Sequence, residues 1–208
     1  MNTDKHKLSM ASGRLEALGD GIFAVAMTIL AIELHLPEKM KGNSWNDFVL
    51  SLHDSWQSLL CYVISFVVLG IMWFGHRMMF EYIGKTDRFF IFLGVLFYLV
   101  VCLVPFSTRI LAANTLKWYA IIIYALNLSL CNLTLYFQWI YGIKKASLLH
   151  REIPAEVRRE ASVLFLLSPI VYAIASAISP FFPQISIAIF IITPVVYLLP
   201  NKLDKYLP

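Results

Sequence analysis

The chain has 208 residues, of which 59% are hydrophobic and 14% are charged, and its formal net charge is +4. Soluble domains are typically about 45–50% apolar and about 25% charged, so this composition excludes an ordinary soluble protein and indicates a membrane protein. The positive charge is a signal of membrane topology, and the sequence contains no footprint of nucleic-acid binding.

A transmembrane helix needs about 20 apolar residues, and six such stretches follow one another along the chain. They predict an all-α integral membrane protein with six transmembrane helices, which form a single domain over residues 1–208. The predicted spans cover about 14–36, 56–80, 89–112, 117–141, 161–180 and 184–200. Prolines in the last two spans predict kinks rather than breaks, because neighbouring helices satisfy the freed backbone groups.

The distribution of Lys and Arg predicts the orientation. The N-terminus, the 2–3 and 4–5 connections and the C-terminus together hold thirteen Lys and Arg residues, and the remaining connections hold four. Because basic residues are enriched on the cytoplasmic side, we expect a multi-pass protein of the cell membrane with both termini in the cytoplasm.

The first span carries Asp20 inside its apolar run. Charge at membrane depth costs roughly 2.5–3.5 kcal/mol on insertion scales, so Asp20 is expected to be a buried acid that is either hydrogen-bonded or titrating. Arg14 is the nearest cation, but six residues separate the two, and they cannot form an i, i+4 pair. Trp73 and His76 lie one turn apart near the end of the second span, at the membrane face where the first span begins. We therefore predict that Arg14, Asp20, Trp73 and His76 meet at one depth.

The first span also has an aliphatic line. At about 100° per residue, one side of the helix carries Leu18, Gly21, Val25, Ile29, Ile32 and Leu36. Such a line is usually a lipid-facing or packing stripe, and periodicity alone does not separate it from a pore. Thr28 lies beside it and either contributes a hydroxyl there or bonds to its own backbone. Small residues on the same span favour a central helix surrounded by protein.

The signals for catalysis are poor. The sequence offers no paired carboxylates, no activated nucleophile and no metal-ligand spacing at membrane depth. We therefore expect no enzyme activity, no metal site and no cofactor.

Residues 14–34 resemble the R-x-x-x-F-S-D-G signature and first helix of the prokaryotic relatives of transmembrane protein 175, the lysosomal potassium channel. The W-x-x-H of the second span and the LVPFST of the third agree with the same family. The chain departs from the signature at Leu18 and Gly19, where the family has Phe and Ser.

The resemblance implies a homotetramer in which the first helices line a central potassium-conducting pore. Counted from the signature Asp, its aliphatic constriction falls on Val25, Ile29 and Ile32, and Thr28 and Leu36 complete the predicted lining. The resemblance also implies that the Arg, Asp, Trp and His of the motifs form a structural network. The implied partners are other copies of the chain, membrane lipid and permeant potassium ions.

The leading hypothesis is a potassium-preferring cation channel. The alternative is a proton- or cation-coupled secondary transporter in which Asp20 and His76 titrate as a pair. A membrane enzyme or assembly factor is the third hypothesis. The chain has no TVGYG sequence, so a carbonyl-ring filter is not expected. Glu33 and the acids of 37–55 are candidates for concentrating cations at the outer mouth.

Overall fold

The computed structural model describes residues 10–34, 44–46, 49 and 55–199. The helices with described bounds are α1 (Gly13–Ile32), α2 (Trp56–Phe80), α3 (Arg88–Cys102), α4 (Val104–Ala113), α5 (Trp118–Lys144), α6 (Ala155–Ile178) and α7 (Pro183–Leu198). A short 3-10 helix covers Ala146–Leu148. The strands β1 (Met10–Ala11) and β2 (Lys85–Thr86) pair antiparallel.

The helices have the length and composition of membrane spans. Five segments are long and apolar enough to cross a membrane, namely 13–32, 56–80, 88–113, 118–144 and 155–178. The sixth, α7, is a shorter apolar helix of 16 residues. The prediction of an all-α membrane protein is therefore confirmed. The ends of the first and sixth predicted spans, including Leu36, lie outside the described residues.

The third predicted span is divided at Leu103 into α3 and α4. Pro105 has no N–H, and its ring clashes with the carbonyl of Val101, one turn earlier, so the helix cannot continue undisturbed. The side-chain amide of Asn127 on α5 donates to the carbonyl of Val100 at 3.0 Å. The Val100 carbonyl also accepts the N–H of Leu103 at 3.1 Å, so this neighbouring helix adds a second hydrogen bond to a carbonyl beside the break.

The prolines of α6 and α7 leave both helices continuous. Pro169 lies inside α6 and Pro194 lies inside α7, whereas the two helices are separated over 179–182. α6 begins at Ala155, directly after Pro154, so the charged residues before position 161 form its first turns. Charged residues are good helix formers, which explains why the helix begins earlier than the apolar run.

The centre of the subunit is α5, which packs against α3, α4 and α6. Its buried Tyr124 lies with its hydroxyl 2.9 Å from that of Ser65 on α2. Thr108 of α4 in turn donates to Ser65 at 2.8 Å. These three hydroxyls join three helices, and each of them has a hydrogen-bond partner, as buried polar groups usually do. Within the single subunit α1 packs along one face only, so the prediction of a helix surrounded by protein stays a prediction about the oligomer.

Several helix ends meet on one side of the molecule, which we call the N-terminal face. Pairing of β1 with β2 joins the start of α1 to the connection between α2 and α3. The N–H of Ser12 donates to the carbonyl of Gly84 at 3.3 Å, and the N–H of His150 donates to the carbonyl of Tyr82 at 2.8 Å. The starts of α1, α3 and α6 and the ends of α2 and α5 therefore share this face.

Asp87 joins the start of α3 to the end of α5 at the N-terminal face. Its carboxylate caps α3 by accepting the N–H of Phe90 at 2.9 Å, and it also accepts from Tyr141 at 2.8 Å and from Lys145. Burial raises the pKa of the Asp87 carboxyl, but the hydrogen bonds from Lys145, Phe90 and Tyr141 outweigh it and bring the pKa below its usual value. The bond to Asp87 raises the pKa of Lys145.

Candidate functional site

α1 packs against the rest of the subunit along a single face. Leu15, Gly19, Phe23, Ala26 and Leu30 form that face, at steps of three and four residues. This spacing is the period of an amphipathic helix with one packed stripe. In the single chain, the remaining circumference of α1 is left to water, lipid or another protein chain.

The aliphatic line lies outside the packed face. In the single chain the exposed fraction is 50% for Leu18, 56% for Val25, 38% for Ile29 and 72% for Ile32. Thr28, also exposed, donates its hydroxyl hydrogen to the carbonyl of Val25 at 2.8 Å. Of the two alternatives for Thr28, the backbone bond is thus formed, and the hydroxyl oxygen keeps lone pairs that can accept another partner.

Asp20 is joined to α2 through Trp73. The indole N–H of Trp73 donates to the Asp20 carboxylate at 2.8 Å. Asp20 is exposed in the single chain, so the expectation of an acid buried within the subunit is wrong. The guanidinium of Arg77, one turn along α2, lies 5.9 Å from the centre of the Trp73 ring. The cation beside the Asp20–Trp73 pair is therefore on α2.

His76 belongs to a separate buried group. Its Nε2 lies 2.9 Å from the hydroxyl of Tyr98, which donates its only hydrogen to the carbonyl of Leu15 at 2.7 Å. His76 must therefore carry a hydrogen on Nε2 and donate it to Tyr98. The other ring nitrogen, Nδ1, is buried without a hydrogen-bond partner in the described part of the chain.

The close approach of His76 explains Gly19, which stands where the signature has a serine. A Cβ added to Gly19 would lie 2.6 Å from Cε1 of His76 and 2.8 Å from the hydroxyl of Tyr98. Both distances are shorter than any ordinary contact, so no side chain fits at this position without displacing the pair. The space that a serine would need is thus occupied by the His76–Tyr98 pair.

Arg14 does not join either group. Its side chain is exposed, and it forms no hydrogen bond or ion pair within the described residues. On the helix Arg14 lies away from Asp20, as the six-residue separation requires. Of the four residues predicted to share a network, the structure thus brings Asp20 to Trp73 and His76 to Tyr98, and leaves Arg14 apart.

The opposite end of α1 has a charge pair. Glu33, which caps the helix, lies 3.2 Å from the guanidinium of Arg109 on α4. Glu33 is one of the acids predicted to lie at the outer mouth of a pore, and its charge is partly compensated by Arg109. The described residues contain no group of three His, Cys, Asp or Glu side chains that could hold a metal ion.

Sequence reasoning missed Tyr98, Arg77 and Arg109 as partners of the signature residues. Arg77 follows Trp73 by four residues, so helical spacing could have indicated the contact with the indole. Tyr98 and Arg109 lie on α3 and α4, and only the packing of these helices against α1 brings them into reach.

Comparison with known proteins places the chain among channels. Residues 14–105 match the family described as the endosomal/lysosomal potassium channel TMEM175. This stretch contains α1, α2 and α3, and thus both motif helices. A potassium channel of Streptomyces collinus is 32% identical over 166 residues, which cover 77% of this chain and 79% of that protein. A potassium channel of a Chryseobacterium species is 28% identical over 198 residues, which cover 93% and 95% of the two chains.

A solved structure has the same architecture. The crystal structure of a homologue of the lysosomal potassium-selective channel TMEM175 from Chamaesiphon minutus superposes with a TM-score of 0.76 and 26% identity. The match covers 90% of this chain and 96% of that one. The family match covers the signature helix, and the similarity to the bacterial channels covers most of the chain. The chain therefore belongs to the TMEM175 family.

Proposed function

We propose that the chain is one subunit of a homotetrameric, potassium-preferring channel whose α1 helices line a central pore. The family and its bacterial relatives, named as potassium channels, support potassium conduction and a channel rather than an enzyme. The observation that carries the pore assignment is the position of the aliphatic line, which lies outside the packed face of α1.

The polar residues of α1 favour a protein or water environment over lipid. Arg14, Asp20 and Thr28 are exposed on α1 in the single chain. Charge that faces the hydrocarbon of a bilayer is costly, so these surfaces are better covered by other subunits or by water. The exposed Gly21 and Ala24 have short side chains that let neighbouring helices approach closely. Because each chain has one α1, only an oligomer can enclose a pore with it.

The constriction is formed by Val25, Ile29 and Ile32, with Thr28 and Leu36 as further lining residues. A ring of aliphatic side chains offers an ion no ligands, so a narrow ring excludes water and blocks hydrated ions. Conduction requires the ring to widen until an ion passes with part of its water. Potassium gives up water more readily than sodium, and this difference produces a preference without coordination.

The proposed orientation puts the N-terminal face in the cytoplasm of a cell-membrane protein. The excess of Lys and Arg at the termini and at the connections of this face supports it. The membrane lipid and the permeant potassium ion are the other partners of the channel, which needs no cofactor in this mechanism.

The transporter hypothesis receives no support from the positions of its proposed pair. Asp20 accepts from Trp73, and His76 donates to Tyr98, so the two side chains belong to different hydrogen-bonded groups. The two side chains share no hydrogen bond, so a proton cannot pass directly from one to the other.

Planar-bilayer recording combined with cysteine accessibility tests the proposal. The purified protein should carry current in potassium and less in sodium, and the current should continue without a coupling gradient. In a background with the exposed Cys102 replaced by Ala, Val25→Cys should be blocked by a charged thiol reagent. Leu99→Cys, on an exposed position of α3, is the matched control and should be insensitive. If Val25→Cys is as insensitive to the reagent as Leu99→Cys, the pore assignment is overturned. Native mass spectrometry of the assembly tests whether four subunits are present.

A further inference from the structure

A large apolar groove lies between α2, α5, α6 and α7, and none of its lining residues comes from α1. Its volume is about 580 Å³, within the range of roughly 300–1,000 Å³ typical of ligand sites. The lining comes from the parts of α2, α6 and α7 nearest the N-terminal face. Exposed Phe66, Phe74 and Leu198 form part of its rim, so the groove opens sideways towards the surrounding membrane.

The interior of the groove fits an apolar occupant. Ser168 donates to the hydroxyl of Tyr197 at 2.6 Å, and Tyr197 donates to the carbonyl of Leu164 at 2.7 Å. Thr193 donates to the carbonyl of Ile189 at 2.7 Å. Since these hydroxyl donors are engaged within the protein, the interior offers mainly dispersion contacts. An acyl chain satisfies this environment, whereas a polar ligand would lose its hydrogen bonds to water.

Two arginines continue the lining towards the N-terminal face. Arg158 precedes the lining residues Ala161 and Phe165 of α6 by three and seven residues, so it lies on the same face of the helix. Arg77 follows the lining residues Gly70 and Trp73 of α2 by seven and four residues.

Both arginines are exposed, and neither forms an ion pair within the described ranges of the chain. The acid Glu81 on α2 is paired with Arg151 at 3.1 Å. Arg77 also interacts with the charge of Glu16 on α1, so its charge is partly compensated. The end of the groove thus has two exposed cations that form no ion pair within the described ranges.

We propose that this groove binds an acyl chain of an anionic phospholipid, whose phosphate is bound by Arg158 and Arg77 at the N-terminal face. Basic pockets between transmembrane helices are recognised sites for lipid head groups. Here the apolar groove and the two cations follow one another along α2 and α6, in the order in which a lipid presents its chain and its phosphate. The site is separate from the proposed pore and does not depend on conduction.

Native mass spectrometry of the full-length protein tests this site. The protein is released from bilayers that contain equal amounts of phosphatidylglycerol and phosphatidylcholine with identical acyl chains. The wild type should retain phosphatidylglycerol in preference. Arg158→Gln should lower that preference roughly fivefold, as expected for the loss of one basic residue near a lipid phosphate. The matched control, Arg159→Gln, removes the same charge about 100° around the same helix and should retain the wild-type preference.

A second variant tests the apolar part. Val67→Trp fills the groove from α2, and it should lower retention of both lipids while the number of subunits in the assembly stays the same. Equal retention of the two lipids by the wild type would overturn the proposal. So would an effect of Arg159→Gln as large as that of Arg158→Gln. If Val67→Trp instead changes the number of subunits and leaves lipid retention unaltered, a second copy of the chain occupies the groove.

Discussion

The indole N–H of Trp73 donates to the carboxylate of Asp20 across 2.8 Å and joins α2 to α1. It is the one hydrogen bond between Asp20, the acid of the α1 signature, and another helix in the described part of the chain. The remaining attachment of α1 near this depth is the buried group of His76, Tyr98 and Leu15. Two hydrogen-bonded groups therefore join α1 to its neighbours. The Asp20–Trp73 pair is exposed, and the group of His76, Tyr98 and Leu15 is buried.

A double-mutant cycle measures the Asp20–Trp73 bond. Asp20→Ala and Trp73→Phe should each lower the free energy of unfolding, and the double variant should lose less than the sum. We expect a coupling of about 1–2 kcal/mol, since one partner is charged and the pair is partly exposed. Chemical unfolding in mixed micelles measures it, and Asp20→Ala with the distant Trp118→Phe should be additive. Additivity in the Asp20–Trp73 cycle would contradict the bond.

Gly19→Ala should destabilise the subunit. The added methyl would lie 2.6 Å from His76 and 2.8 Å from Tyr98, and overpacking of this kind typically costs about 1–3 kcal/mol. Gly13→Ala is the matched control on the same helix, where nothing lies within 4 Å of an added Cβ. Thermal unfolding in detergent should separate the two variants. Equal unfolding temperatures would show that His76 moves away at no cost.

Ile29→Ala should raise single-channel conductance and weaken the preference for potassium over sodium. Removal of the branched side chain widens the aliphatic ring, so more water passes with the ion and the dehydration barrier falls. Single-channel recording and the reversal potential under potassium–sodium gradients measure both effects. Leu99→Ala, which shortens an exposed aliphatic side chain of α3, should behave as wild type. A wild-type conductance and selectivity in Ile29→Ala would remove Ile29 from the pore.

Arg109→Gln should increase potassium conductance at low ionic strength. Arg109 compensates Glu33 at 3.2 Å, and its removal leaves more negative charge at the proposed outer mouth, which concentrates cations. The increase should be largest near 10 mM salt, where the Debye length is about 30 Å, and should vanish near 1 M, where it is about 3 Å. Glu33→Gln should have the opposite effect, and Lys117→Gln, which removes an unrelated cation, should change little. A salt-independent change would indicate an altered pore shape instead.

Asp87→Asn should lower stability at neutral pH and lose its effect in acid. The folded-state pKa of Asp87 lies below the ordinary 3.8, so the carboxylate contributes stability above that value and loses it as the pH falls through the folded pKa. Asparagine retains the helix cap but not the charge that Lys145 contacts. Unfolding temperatures of wild type and variant should differ at pH 7 and converge as the pH falls below the folded-state pKa of Asp87. A constant difference would indicate that charge is not the cause.

Much of the fold follows from the sequence because bilayer thickness fixes helix length. The apolar runs locate the membrane helices, with the second predicted as Trp56–Phe80, as in the structure. The division of the third span was not predicted, although Pro105 is visible in the sequence. Whether a proline kinks or divides a helix depends on how the neighbouring helices pack around it, and the hydrogen bond of Asn127 beside the break forms only when α5 packs there.

The candidate site was predictable in part. Matching depth at the ends of two antiparallel helices was enough to pair Asp20 with Trp73. The same argument grouped His76 and Arg14 with them, but within the subunit His76 bonds to Tyr98 instead, because depth does not specify the direction of a side chain around the helix. Likewise, periodicity located the packed face and the aliphatic line of α1 but could not tell which neighbour covers each. Those assignments depend on tertiary packing and, for the aliphatic line, on other subunits.

The location of the aliphatic line on α1 has a consequence for how such channels can vary. Val25, Ile29 and Ile32 lie outside the stripe of Leu15, Phe23, Ala26 and Leu30 that attaches the helix to its own subunit. Substitutions along the line therefore leave the internal core intact, since surface changes of this kind typically alter stability by less than about 0.5 kcal/mol. Permeation properties can diverge between relatives by single mutations there, while folding of the subunit tolerates each step.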